Sequence, residues 1–193
     1  MTAAAKPRRK ADEIRASLID AAGDLFAAHG YDGVSVRDIA AAAGVQASVI
    51  IRYFGSKEEL FRQVLATSQP DRFEPAILAR LPQLIAQALV DPPPTESHRR
   101  RSQVHQIAVR SLGSPEARRM IAADLDERYI QAIARILPGD DAQARAGLLV
   151  SIVLGVRMMR EIVLAPALGD AQRPQLRPLV EQLVAQLVLP ASP

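Results

Sequence analysis

The chain has 193 residues, 49% of them hydrophobic and 23% charged, with a formal net charge of +3, fourteen prolines and no cysteine. This much apolar content over this length can bury a substantial core and excludes a wholly disordered chain. The lack of cysteine excludes a disulfide framework and a thiolate metal site, and the small net charge means that nucleic-acid binding must be argued from where the charges lie.

Residues 1–10, MTAAAKPRRK, carry Lys6, Arg8, Arg9 and Lys10 with no acid and read as a flexible basic tail. Such a tail serves as a solubilising terminus or as an arm that reaches a phosphate or a minor groove. A first helix is expected over 11–28, burying Ile14, Leu18, Ala22, Leu25 and Phe26 in a three-and-four pattern, with Gly30 as its cap. Ser35 and Asp38 have capping-box spacing, and Val36, Ile39 and Ala40 supply the inward face of a short second helix that Gly44 ends. The third helix, 46–53, places Ile50 and Phe54 on one face and Ser48, Val49, Arg52 and Tyr53 towards the other. A short helix with one apolar face and one small, polar and basic face suits insertion into a DNA major groove. Ser56 with Glu59 forms a second capping-box pair, and Lys57 puts a cation in a first turn, where the helix dipole disfavours it unless an anion lies nearby.

Beyond this head, a helix from Lys57 to about Ser68 stops before Pro70, and the next, 74–90, is expected to kink or break at Pro82. Asp91 to Thr95 is a stiff proline loop, followed by a helix from His98 to Leu112. His98 and His105 lie on that helix, but without cysteine and without a Glu-x-x-His pair they do not form a metal site. The Arg99-Arg100-Arg101 run reads as a solvated face. Ser114-Pro115-Glu116 starts a long apolar helix that Pro138-Gly139 ends. The last two helices, 140–164 and 174–189, carry a dimer argument. Gly147, Ser151 and Gly155 make a small-residue stripe, and Leu176, Val180, Leu183 and Leu187 make a seam; two such helices from each of two chains would form a two-fold four-helix bundle. The longest apolar run, Leu148 to Val156, stops at Arg157 and falls short of a bilayer span, and no signal-peptide pattern is present, so the expected setting is cytoplasmic with no membrane partner.

FAAHGYDGVSV, then RDIAAAAGV, then a helix ending in Tyr53-Phe54, then GSKEEL resembles, in order and spacing over residues 14–62, the TetR (tetracycline repressor) family of one-component regulators. The resemblance implies an all-α protein of about nine helices, with a basic tail at 1–10, a helix-turn-helix DNA-binding domain at 11–56 and a helical ligand-binding and dimerisation domain at 57–193. It also implies phosphate contacts by Ser35, Tyr53 and Lys57, with Arg37 as a further one, and a recognition helix that presents Gln46, Ala47, Ser48 and Arg52. This helix departs from the commoner family form: Gln46 stands where Ser is frequent, Ala47 and Val49 where polar contacts are frequent, and Ile51 where Tyr is frequent. Gln46 is therefore the expected reader of a base edge, and Arg52 the expected compensating contact, as a guanine reader or a phosphate clamp.

In the body, His105, Tyr129, Arg157 and Met158 are the candidate ligand contacts, in a pocket expected to be mostly aliphatic because aromatic residues are only 4% of the chain. The expected function is a ligand-responsive regulator, a repressor, that binds a palindromic operator in double-stranded DNA as a homodimer and is released by a largely hydrophobic small molecule. No cofactor is expected. An enzyme is not expected, because no nucleophile elbow, P-loop or dinucleotide turn is present. The competing reading is a helical protein-interaction module without sequence-specific DNA binding.

Overall fold

The computed structural model describes residues 5–68 and 73–189, with residues 5–10 as backbone alone. All the regular elements among them are helical. They are α1 (Ala5–His29), α2 (Val36–Ala42), α3 (Ala47–Phe54), α4 (Lys57–Leu65), α5 (Leu81–Val90), α6 (Glu96–Ser111), α7 (Pro115–Leu125), α8 (Gln131–Ala134), α9 (Ala142–Arg157) and α10 (Arg173–Val188). A π turn, Asp126–Ile130, stands between α7 and α8 with no residue intervening, and the all-α expectation of about nine helices agrees with the structure. The described residues fall into two compact units. One runs to Ser68 and takes in Gln103–Ile121; the other holds the stretch from there to Ser102 and everything from Ala122 on.

The first unit is built around aromatic rings that the three-and-four spacing of α1 and α4 turns inward. Phe26 and Phe61 are fully buried and meet edge to face at 5.1 Å between centroids, and Tyr31 meets Phe61 at 4.9 Å. Each such pair contributes about 0.5–1.5 kcal/mol beyond the area it buries. Ile39 from α2, Ile50 and Phe54 from α3, and Leu60, Val64 and Leu65 from α4 complete this core. Because Phe61 belongs to it, the unit is larger than the 11–56 segment expected to carry DNA binding. Gly30 ends α1 at φ +69, and a Cβ there would lie 2.7 Å from the Arg110 carbonyl oxygen, so both the left-handed backbone and the close approach require glycine.

The second unit is aliphatic. Ala86, Leu89 and Val90 of α5 pack with Val180, Val184 and Val188 of α10, and Ile133, Leu137, Ala146, Leu149 and Val150 join them. Arginines fasten this core to its own backbone. Arg145 pairs with Asp141 at 2.9 Å, donates to the Leu187 carbonyl at 2.8 Å, and also donates to the Pro138 carbonyl. Arg160 donates to the carbonyls of Leu168 and Val90. These bonds satisfy the open carbonyl ends of α10 and α5.

Several expectations need correcting. Helix α1 begins at Ala5, so residues 5–10 of the basic segment are helical backbone rather than a flexible arm. Alanine, lysine and arginine are strong helix formers, and Pro7 falls in the first turn, where proline is tolerated. Residues 1–4 and the side chains of Lys6, Arg8, Arg9 and Lys10 lie outside the described residues, as does Pro70. At Pro82 the expected interruption is a break between two helices and not a kink within one. The proline stands at the start of α5, and a 3-10 turn, Pro75–Arg80, precedes it, because a proline lacking its N–H is best placed among the open donors of a first turn.

The helix that begins as α9 continues through a second π turn to Ile162, and Ala142–Ile162 is long and apolar enough to cross a membrane by length and composition, so the expected shortfall does not hold. Part of its apolar surface is used within the chain: Ala146 and Leu149 are fully buried in the second unit's core while Leu148 is exposed, and its arginines Arg145 and Arg157 are held in ion pairs.

Candidate nucleic-acid interface

The helix-turn-helix is positioned by caps and by a turn. Ser35 caps α2: its Oγ accepts the Asp38 N–H at 3.2 Å, and the Asp38 carboxylate accepts the Ser35 N–H at 2.8 Å and the Ser35 hydroxyl at 2.6 Å. Those bonds, the hydroxyl's first, hold the Asp38 carboxyl below its usual range. Gly44 takes φ +64, and the Val45 N–H reaches back to the Ala40 carbonyl at 2.9 Å, so the chain turns sharply into α3.

Helix α3 then divides into two faces. Ile50 and Phe54, four apart, are buried, while Gln46, Ser48, Ile51 and Arg52 are exposed and Ala47 and Tyr53 are half-buried. Gln46 is the N-cap residue but makes no side-chain cap bond, which leaves its amide available to a partner outside the chain. Arg52 lies over the Tyr53 ring, its Cζ 5.3 Å from the centroid, and Tyr53 in turn stands beside Phe54. Arg37 is exposed near the start of α2.

Lys57 has a resident reason that the helix-dipole argument did not foresee. Its Nζ stands 4.0 Å from the centroid of Tyr31, a cation–π contact that compensates for its place in the first turn of α4. The Tyr31 hydroxyl donates to Glu58 at 3.0 Å, and burial first, then this carboxylate, pushes the tyrosine pKa above its ordinary value. The second capping box is only half formed: Ser56 Oγ accepts the Glu59 N–H at 3.1 Å, while the Glu59 carboxylate accepts from Gln63 at 2.8 Å. Arg15 of α1 braces the same corner, bonding Gln63 at 2.6 Å and lying 5.5 Å from the Phe54 centroid.

The eight expected DNA contacts thus share one unit and one run of chain, from α2 to the start of α4. Sequence reasoning set aside Ile51, which is 49% exposed and, with Ser48 and Arg52, completes an outward stripe at positions i, i+3 and i+4 of α3. That spacing was the available signal.

The four expected ligand contacts are not brought together in one unit. His105 is buried and belongs to the first unit, whereas Tyr129, Arg157 and Met158 belong to the second. Arg157 is engaged with Glu161 at 3.0 Å and with the Ser102 hydroxyl at 2.9 Å, and that hydroxyl donates to Glu161 at 2.7 Å. Tyr129 is half-buried against the aliphatic core, and Met158 is exposed.

The expected dimer seam is likewise divided. Val180 is buried in the chain's own core, because α5 occupies that side of α10, and Leu176 and Leu187 are partly buried against the same core. Leu183 is 45% exposed, as is its neighbour on that side, Leu179, at 60%. The outward apolar positions of α10 are therefore Leu179 and Leu183. On α9, Leu148 is 54% exposed and Ser151 is exposed, and a Cβ added at Gly147 or Gly155 would meet open space.

Two family models match the chain: "Bacterial regulatory proteins, tetR family" over residues 18–64, and "Tetracyclin repressor-like, C-terminal domain" over residues 79–188. A curated relative, the HTH-type transcriptional repressor Rv3405c of Mycobacterium tuberculosis, is 43% identical over 54 residues, which is 28% of this chain and 29% of that protein. The chain therefore aligns with less than a third of the length of this relative. Among solved structures, NalD, the secondary repressor of the MexAB-OprM multidrug efflux pump in Pseudomonas aeruginosa, superposes with a TM-score of 0.64 at 20% identity, covering 90% of this chain and 96% of that one. A SmeT–triclosan complex superposes with a TM-score of 0.58 at 20% identity, covering 89% of this chain and 91% of that one. These likenesses establish the shared fold, and with family models matching both its head and its longer C-terminal part, the chain belongs to the TetR family of bacterial regulatory proteins.

Proposed function

We propose that this chain is a ligand-responsive transcriptional repressor that binds a palindromic operator in double-stranded DNA as a homodimer and is released by a small molecule bound in its C-terminal domain. The observation that carries this reading is the two-faced α3: its apolar side is buried on Ile50 and Phe54, so the outward Gln46, Ser48, Ile51 and Arg52 are left for a partner. The proposed division of labour has DNA binding within 11–56 and ligand binding and dimerisation within 57–193. Ser35, Arg37, Tyr53 and Lys57 contact phosphates, while Gln46, Ala47, Ser48 and Arg52 face the bases.

Dimerisation places two such helices one DNA turn apart, roughly 34 Å, on successive major grooves. The exposed Leu148, Leu179 and Leu183, with the open faces of Gly147, Ser151 and Gly155, support a helical interface between two copies. The aliphatic second unit supports a largely hydrophobic effector, as does the fold shared with the triclosan-bound SmeT. The effector lowers operator affinity by favouring a body conformation in which the two heads no longer fit successive grooves.

Selection from random duplex DNA by the purified protein tests the reading, with enrichment of a two-fold palindrome as the expected result. On the selected duplex, Arg52→Ala should weaken binding by about 1–3 kcal/mol and relax preference at one position per half-site. Lys57→Ala should weaken binding evenly across sequences and flatten the salt dependence. A folded protein that enriches no sequence would favour the protein-interaction reading instead.

A further inference from the structure

We infer that Ile51 is a specificity-determining residue that reads the C5-methyl group of a thymine in each operator half-site; this rests on the DNA-binding reading above. The outward stripe of α3 holds Ser48, Ile51 and Arg52, and only Ile51 among them has no polar atom to offer a base edge. It is not needed by the core, since Ile50 and Phe54 fill the inward side of the same helix and are both buried, whereas Ile51 keeps 49% of its surface open. A single exposed isoleucine is ordinary on a protein surface. Its position is what matters: it shares with a hydroxyl and a guanidinium the outward face of α3, the face that the reading above offers to a major groove.

In that groove the only apolar group on any base edge is the thymine methyl, so an aliphatic side chain flanked by polar readers selects thymine over cytosine. The branched Cβ of isoleucine restricts its χ1 angle, so the side chain is already ordered before binding. Arg52 rests its guanidinium 5.3 Å from the Tyr53 ring centroid, and Ile51 stays exposed on the same helix.

Replacing thymine by deoxyuridine removes this methyl and changes no hydrogen-bonding group, which makes it a direct probe. The full chain is titrated against the selected operator and against duplexes with each thymine pair, one per half-site, changed to deoxyuridine. Burial of one methyl corresponds to about fourfold in affinity, hence about fifteenfold for a symmetric pair. The expected result is a loss of that size at one thymine position in the wild-type protein and almost none at the same position in Ile51→Ala, with Ile51→Val keeping part of the sensitivity. Far-ultraviolet circular dichroism and retained binding to the deoxyuridine duplex show that the variants are folded. An operator whose half-sites lack thymine, or a deoxyuridine effect that is nil or equal in wild type and Ile51→Ala, would overturn the assignment of Ile51 while leaving DNA binding intact. Failure to enrich any duplex would overturn both.

Discussion

In the first unit the caps of α2 and α4 come from near neighbours in sequence, whereas in the second unit the last carbonyls of α5 and α10 are held by arginines reaching from far along the chain. Ser35 caps α2 through Asp38, Ser56 caps α4 through Glu59, and Gly30 closes α1. By contrast, Arg145 holds the Leu187 carbonyl and Arg160 holds the Val90 carbonyl, across 42 and 70 positions. The first unit can therefore keep its small head regular from local signals. The second ties its helices to one another and leaves Leu148, Leu179 and Leu183 exposed on α9 and α10. Local caps define a surface that has to present side chains in fixed register, and long-range clamps define a body whose packing is cooperative.

The largest effect that would break this comparison lies in the head's core. Phe61→Ala should cost about 3–5 kcal/mol in urea unfolding, because the ring is fully buried between Phe26 and Tyr31. A loss below about 1 kcal/mol would show that the aromatic cluster does not organise the unit.

In the body, Arg145→Ala should cost about 1–3 kcal/mol by leaving the Leu187 and Pro138 carbonyls without this donor. Hydrogen exchange should place the loss of protection in the last turn of α10 and in the turn before α9, with the head unaffected. Protection lost evenly over both units would mean that the clamp is not local to the body.

Ser35→Ala removes one side-chain cap and should cost about 1 kcal/mol. Ser35→Gly should recover most of it, a rescue that a phosphate-contact role alone does not predict, so thermal unfolding without DNA separates the two roles of this serine.

The smallest effect is a pH dependence confined to the body. Burial first, then the Arg157 and Arg101 charges, hold the His98 pKa below its ordinary value of about 6.5, with Glu161 opposing them. A histidine whose folded pKa is depressed takes up its proton more readily when unfolded. Its contribution is therefore fully present above about pH 6.5 and is lost as pH falls through the folded pKa. His98→Gln should flatten that part of the stability–pH curve, and an unchanged curve would remove His98 as its cause.

Much of the head was legible residue by residue. The Ser35–Asp38 capping box, the turn at Gly44 and the inward Ile50 and Phe54 all appear where spacing placed them. What was not legible there depends on contacts between helices. The dipole argument left Lys57 asking for an anion, yet the Tyr31 ring accommodates it from 26 positions away, a partner that no local pattern indicates. Ile51 was passed over because a comparison of residue types counts lost polar contacts and does not ask which apolar side chain stays outside.

For the body, periodicity identified helices and their apolar character but not their partners. The seam of Leu176, Val180, Leu183 and Leu187 looked continuous, and only packing against α5 turned Val180 inward and left Leu179 and Leu183 facing out. Arg157 looked like a polar group free to meet a ligand until Glu161 and Ser102 were seen to hold it. By itself, the sequence determined the all-helical fold, the starts of α2, α4 and α7, and the two-faced α3, because caps, proline positions and three-and-four spacing act within a few residues. Tertiary structure decided which apolar face is core and which is left exposed, and which charges are already paired, because both depend on elements brought together from distant parts of the chain.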